Sequence, residues 1–548
     1  MIEPLAPDLL ALHRDFWRWR ALTAPDTYDD LFRFDRPPGW RPDWSADAIA
    51  ERRGALAEFV ARHRNLSAPR SVAAEVDQRL VGCALARARW ELDTLRGWQR
   101  NPYFYVEQAI GPLYALLLVR DSFDAARADQ IIILLEQIPR TLADARVNLQ
   151  GTAAAPFTRY AVRMLGPVED RMTACAKALA AAFPAERVPR LSAAAAAATE
   201  ALVAYRDWLT ETPPDGTEAT AVGAAALASL LYTVALLPYS IPRLRDMAAQ
   251  EWHRVVATET ILRHRHRDLP DDPLFPDAAA QVAGEYRDEL AVRDHYTGHD
   301  LLTQPETLRH YRFQEMPDYL APLTWLGVCH DPASQARMDA DAVRYISDPA
   351  PDLPYFEAAK ARDPRTAIAH EGVHAQQLAL SWRHPDPIRR TPFDSVPNEG
   401  IANYNEELFL LSGLFDDRPH SALFHVNSMR LRALRVEIDI DLAVGAITVD
   451  EAADRLARRV PLDSATAWQE AVFFASNPGQ GLSYQAGRWQ ILELLSDCSR
   501  RPEFDIHAFH DRLWREGNVP IALQRLELLG SRDHLNAADR LAASGTEA

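Results

Sequence analysis

Thr366-Ala-Ile-Ala-His370-Glu371-Gly-Val-His374-Ala-Gln-Gln377 carries His-Glu-x-x-His on a stretch with helical signals at both ends. Asp363 can cap the start, and Pro364 suits the first helical position. His384-Pro385 marks the end, because a residue before proline is pushed out of helical geometry. Between those limits His370 and His374 are four apart, so their imidazoles share one face, one turn apart. That spacing suits two neutral imidazoles on one Zn²⁺. Glu371 points to the side of that face, within reach of a metal-bound water without being a ligand. Chance supplies such a motif roughly 0.03 times in a chain of this length and histidine content. The competing reading is a helix with two surface histidines.

A catalytic zinc site wants a third protein ligand and an open position. Asn398-Glu399-Gly-Ile-Ala-Asn403-Tyr-Asn-Glu406-Glu407 follows a proline-rich loop and reads as a second helix that stops at Ser412-Gly413. Glu399 is expected in its first turn and is the candidate third ligand; the alternative is a glutamate favoured there by the helix dipole. Gly400 and Ala402 would let the two helices approach closely. Glu406, two turns along the same face, is a candidate acceptor for an imidazole N–H, against plain solvation. Later, Asn477-Pro-Gly-Gln480-Gly turns into a helix carrying Tyr484, Gly487 and Arg488. Tyr484 and Arg488 share a face. Arg488 would take a substrate carboxylate bidentately or form a structural ion pair. His507 and His510, three apart, have no third ligand nearby in sequence and read as structural.

These motifs resemble those of the gluzincin metallopeptidases, within them the all-helical group of thimet oligopeptidase, angiotensin-converting enzyme and carboxypeptidase Taq. A closer resemblance is to the bacterial family called domain of unknown function 885. It is carried by His370-Glu371-Gly-Val-His374-Ala-Gln-Gln377, Glu399-Gly-Ile-Ala-Asn403-Tyr404-Asn-Glu406 and Pro478-Gly-Gln480-Gly-Leu-Ser-Tyr484-Gln-Ala-Gly487. Phe504-Asp-Ile-His-Ala-Phe509-His510 and Glu516-Gly517-Asn-Val-Pro520 complete it. The likeness is firm over residues 340–530. Many members insert Pro-Gly before the second histidine; this chain keeps the compact spacing, as a divergent branch would. The resemblance implies one Zn²⁺ per chain on His370, His374 and Glu399, with Glu371 as general base. It implies that the Tyr484 hydroxyl donates to a developing oxyanion, against a buried structural tyrosine. Gln377, Asn403, Glu406, Gln480 and Arg488 would orient the ligands or meet the substrate.

The chain has 548 residues, more than one compact core usually holds, so two lobes are expected: 1–270, and a catalytic lobe over 271–548. A net charge of −17 argues against a nucleic-acid partner and against an anionic membrane surface. Cys83, Cys175, Cys329 and Cys498 are scattered and read as buried thiols in a reducing compartment. Met1-Ile-Glu-Pro-Leu-Ala-Pro-Asp8 lacks the basic and apolar regions of a secretion signal, so a cytoplasmic location is expected.

Amphipathic helical patterns recur near 5–20, 46–63, 71–97, 104–121, 126–147, 156–182 and 190–211, and again at 241–262. Pro37-Pro38-Gly39 and Pro213-Pro214-Asp-Gly216 mark loops. The uncharged run 219–242 reads as a buried helix lining the cleft rather than a membrane span. Arg263-His-Arg-His-Arg267 reads as a solvated helix end. Tyr311-Arg-Phe-Gln, Leu323-Thr-Trp-Leu-Gly-Val-Cys and Ala342-Val-Arg-Tyr-Ile-Ser read as strands. In gluzincins a small sheet there offers an edge to an extended peptide. Further helices are expected at 425–446, 448–458 and 464–475. The expected fold is mostly α: two helical lobes around a long cleft, with a small β-sheet beside the metal-binding helix. The expected function is zinc-dependent hydrolysis of a peptide or related amide. The alternatives are a metal-dependent tailoring enzyme acting on a small amide or acyl metabolite, and a non-catalytic binding protein, against which the intact Glu371 argues.

Overall fold

The computed structural model describes residues 7–26, 33–211, 219–460 and 462–544. The loop expected at Pro213-Pro214-Asp-Gly216 and the first six residues lie outside them. Amphipathic patterning gives the helices Pro7–Thr23, Ala46–Arg64, Val72–Arg89, Pro102–Leu118 and Ala125–Asn148, in the places expected. The pattern over 156–182 breaks into Ala155–Leu165 and Val168–Ala182, because Gly166-Pro167 interrupts the helical hydrogen bonds. The pattern over 71–97 ends in a π-turn, Trp90–Leu95, closed by Arg96 with φ of 49°. The largest apolar cluster joins helices before residue 211 to Leu320, Leu323 and Leu326 and to Val519, Leu523 and Leu526 near the C-terminus.

The run 219–242 is not one helix. It forms Ala224–Ser229 and a π-turn, Leu230–Val234, and stops where Leu236 takes a φ of 55°. Pro238 and Pro242 prevent a continuous helix through this stretch. Leu227 and Leu231 are nonetheless fully buried, against Val436, Leu482 and Ala486. No helix among the described residues is long and apolar enough to cross a membrane. Helix Ile241–Arg265 follows, with Arg263, His264 and Arg265 in its last turn, as a solvated end requires.

Three strands form one sheet in the order β1-β3-β2: β1 (Tyr311–Glu315), β2 (His330–Asp331) and β3 (Ala342–Ile346). β1 runs parallel to β3, and β2 antiparallel to it. The strand expected at 323–329 is a correction: Ala321–Leu326 is 3₁₀ helix, and pairing begins only at His330. Pro322 at its start fixes a helical φ, and buried Leu323 and Leu326, three apart, suit a three-residue turn. All five residues of β3 are buried. This central strand carries the sheet against the helix that holds His370 and His374.

Candidate metal centre

Asp363 caps that helix as expected: its carboxylate accepts from Arg365 N at 3.1 Å. The helix is not uniform, however. Residues Ile368–Gly372 form a π-turn, and α geometry resumes over Val373–Trp382. A π-turn diverts a backbone carbonyl from the ordinary ladder, and the Asn405 side chain donates to Ala369 O at 3.0 Å. The Asn405 carbonyl in turn accepts from the Tyr296 hydroxyl at 2.6 Å. The widened turn sets the His370 and His374 rings 5.0 Å apart and nearly perpendicular, at 85°.

The second helix spans Ser395–Ser412 and closes on Gly413, whose φ is 88°. It starts earlier than its sequence signals indicated, because Asp394 caps it by accepting from Val396 N at 2.9 Å. Glu399 therefore lies in the second turn, not the first. Pro397 falls in the first turn, where its missing N–H costs nothing. Gly400 does face a close approach, but to the helix Gln480–Cys498. A Cβ on Gly487 would sit 2.1 Å from Val396 O and 2.7 Å from Gly400 Cα. Two glycines thus bring the Glu399 and Tyr484 helices into backbone contact.

These placements converge on one point. Glu399 Oε2 lies 3.5 Å from His370 Nε2 and 3.3 Å from His374 Nε2. The three candidate ligand atoms lie within 4.8 Å of one another. Glu399 is 1% exposed and His374 2%. Glu399 Oε2 and His374 Nδ1 have no hydrogen-bond partner among the described residues. Tetrahedral zinc with ligand bonds near 2.1 Å spaces its ligand atoms about 3.4 Å apart. Two imidazoles and one carboxylate at this spacing, with an orphaned buried oxygen between them, fit a divalent ion with N/O ligation.

A buried electrostatic frame surrounds the three. Glu406 Oε1 lies 2.9 Å and Arg432 Nη2 3.1 Å from His370 Nδ1, while His370 Nε2 faces Glu399. Arg432 forms a bidentate pair with Glu406. Burial would raise the Glu406 carboxyl, but Arg432, His370 and His425 hold it well below the usual range. Burial and Arg432 would lower the His370 pKa; Glu399 and Glu406 outweigh them and keep it at about 9. Burial likewise acts to raise Glu399, yet His374 and His370 hold it far below an ordinary carboxyl.

Glu371 faces the sheet. Its Oε1 is 3.7 Å from Arg344 Nη1 and its Oε2 3.8 Å from His330 Nδ1. Arg344 and His330 are cross-strand partners in the β2–β3 register. Against burial, Arg344 and His370 keep the Glu371 carboxyl below its usual range. Burial holds His330 at about 3, hence neutral.

The remaining candidates divide. The Tyr484 ring stacks on His370 at 5.9 Å and 15°, with the Arg432 and Arg435 guanidiniums 5.4 and 5.1 Å from it. Gln480 donates to Glu399 Oε1 at 3.4 Å. Asn403 accepts from Arg432 at 3.3 Å and donates to Tyr484 O at 3.2 Å. Gln377 is placed elsewhere: its amide binds Ser381, Asn398 and Asn518. Arg488, 1% exposed, is held by Glu251 and Glu407 in a structural ion-pair cluster. His510 joins Tyr404 at 2.7 Å and Leu301 O at 2.8 Å, a structural role. Sequence reasoning missed Arg344, His330, Asn405, Arg432 and Arg435. For the last two a signal existed: two arginines three apart, interleaved with Leu431, Ala433, Leu434 and Val436 in one helix.

A mostly helical fold with a buried His-His-Glu cluster and a carboxylate beside it defines the class. The chain belongs to the family described as bacterial protein of unknown function (DUF885), which matches residues 36–527. Its fold is similar to that of a candidate lipoprotein of unknown function from Shewanella oneidensis. There the TM-score is 0.69 and the identity 14%, over 96% of this chain and 100% of that one. A candidate lipoprotein from Colwellia psychrerythraea is similar with a TM-score of 0.70 and 13% identity, over 98% of each chain. At these identities the likeness is one of fold. A 189-residue stretch is 29% identical to the large tegument protein deneddylase of Human herpesvirus 2 (strain HG52). It covers 32% of this chain and 5% of that protein.

Proposed function

We propose that the protein is a zinc-dependent hydrolase cleaving a peptide or related amide bond. The observation that supports this reading best is the convergence of His370 Nε2, His374 Nε2 and Glu399 Oε2, with Glu371 next in sequence to the first. Zinc bound there would polarise the scissile carbonyl and lower the pKa of its water towards about 7. Glu371 takes the proton of the attacking water and returns it to the leaving amine. Arg344 and His330 face the two oxygens of that carboxylate from the sheet side, at 3.7 and 3.8 Å. Glu406, braced by Arg432, is the acceptor for the His370 Nδ1 proton when Nε2 holds the metal. The Tyr484 hydroxyl, on a ring packed flat against His370, donates to the oxyanion.

For location we propose the cytoplasm. The second reading is a lipid-anchored form, which rests on the description of both similar structures as candidate lipoproteins. Fractionation of the native host separates the two.

The functional test is hydrolysis of a free peptide library by the purified protein before and after chelation, alongside Glu371→Gln. The substitution keeps size and removes the base, so turnover should fall about 10²–10⁴-fold with bound metal unchanged. Turnover that survives both chelation and Glu371→Gln would sink the reading. Cleavage of small amides but not peptides would move it to metabolite tailoring.

A further inference from the structure

Helix Pro102–Leu118 has 17 residues, and Glu107 is its one acidic or basic side chain. Val106, Gln108 and Ala109 around it are buried, while Glu107 is partly exposed. It lines a cavity walled by Trp19, Trp44, Trp98, Phe104 and Asn477. Among the described residues Glu107 has no hydrogen-bond or ion-pair partner. A carboxyl placed in an apolar helix without a partner costs stability unless something offsets it.

The three cations that line the same cavity are engaged by other groups of its wall, not by Glu107. Arg20 and Arg87 each donate to Glu91 at 2.8 Å. Arg52 lies 4.1 Å over the Trp44 ring and donates to Asp43 O. Burial, and after it the negative charge of Asp26, push the Glu107 carboxyl well above its usual range. The charge felt most strongly at Glu107 is thus another acid. Aromatic faces attract cations, and a cation in a low-dielectric cavity would restore the ionised carboxylate.

We propose that this cavity binds a primary alkylammonium group among Trp19, Trp98 and Phe104, with Glu107 as its counter-ion. The cavity shares Arg87, Leu95 and Asn477 with a second one that reaches Gln480, the residue donating to Glu399. The amine is therefore carried by the substrate, either as a peptide N-terminus or as a lysine side chain. That last step alone rests on the hydrolase reading.

The test is calorimetric titration of the full-length protein with benzylammonium and with its neutral match, benzyl alcohol. Wild type should bind benzylammonium saturably and at least about tenfold more tightly than the alcohol, the discrimination expected of a charge partner in an aromatic-walled cavity. Glu107→Gln, equal in shape, should lose that preference. His374→Ala should keep it, so a failed metal site leaves the result intact. Equal affinity for amine and alcohol in wild type overturns the proposal, and needs no variant to fold. So does an unchanged preference in Glu107→Gln. A lysine-free peptide with a free N-terminus and an N-acetylated peptide containing lysine then compete for the site. Displacement by the first assigns the N-terminal amine, and by the second the side chain; displacement by neither overturns the assignment to a peptide.

Discussion

Tyr484 lies flat on His370 and has two guanidiniums against its ring, so its position is fixed by charge as well as packing. In the proposed oxyanion role its hydroxyl acts on the transition state far more than on bound substrate. Tyr484→Phe should lower kcat and kcat/KM together by about 10–10³-fold, with KM nearly constant. Steady-state kinetics on any cleaved peptide checks this. A fall in Tm with kcat intact would make Tyr484 a packing residue. At this scale the sequence shows the groups that sit in compact motifs: His370, Glu371, His374, Glu399, Glu406 and Tyr484 fall within three short stretches. Arg432 brought to Glu406, or Arg344 to Glu371, depends on how helices and sheet are stacked, and no local spacing carries that. Gln377 shows the converse. It stands in the motif helix, yet its amide serves Asn398 and Asn518.

Among the elements, the crossing of Ser395–Ser412 over Gln480–Cys498 sets where Glu399 stands relative to Tyr484. Its contact is backbone against backbone at Gly400 and Gly487. Gly487→Ala would force the helices apart, because the clash is with Val396 O and not with a flexible side chain. It should cost about 1–3 kcal/mol or more, read by urea unfolding, and weaken metal binding with it. Unchanged stability would mean that the crossing is looser than described. The turn that starts the Tyr484 helix is held by Asp439, which accepts from Gly479 N at 3.0 Å and Leu482 N at 2.9 Å. Burial raises its pKa to about 7 against these backbone donors. A raised native pKa favours the folded state fully below the unfolded value of 3.8, and that contribution is lost as pH climbs through about 7. Stability should thus decline between about pH 4 and 7. Asp439→Asn should flatten that slope in denaturation curves taken across the range. An identical slope in the variant would assign the decline to other groups. Glycine between helix-forming residues signalled a close approach in the sequence; which partner it approached was decided by tertiary packing.

Across the whole molecule, helical periodicity located most helices, because each must bury one face and its sequence repeats accordingly. It failed where the backbone departs from α geometry. The run 219–242 has no charge to mark a face, and Pro238 and Pro242 are the local signals of its break at Leu236. The π-turn Ile368–Gly372 is invisible for a different reason: its diverted carbonyl is satisfied by Asn405, on another helix. Ala321–Leu326 has strand composition but a proline start, and packing took the 3₁₀ form. What the fold achieves as a whole is to bring two helices, a late helix and a three-stranded sheet around one cluster of nitrogen and oxygen atoms. Zinc content reads that cluster directly. Protein equilibrated with one equivalent of Zn²⁺, desalted and measured by elemental analysis should retain about one zinc per chain, and His374→Ala should lose most of it. Retention of a full equivalent by His374→Ala, or no tightly held zinc in the unaltered protein, would contradict the account.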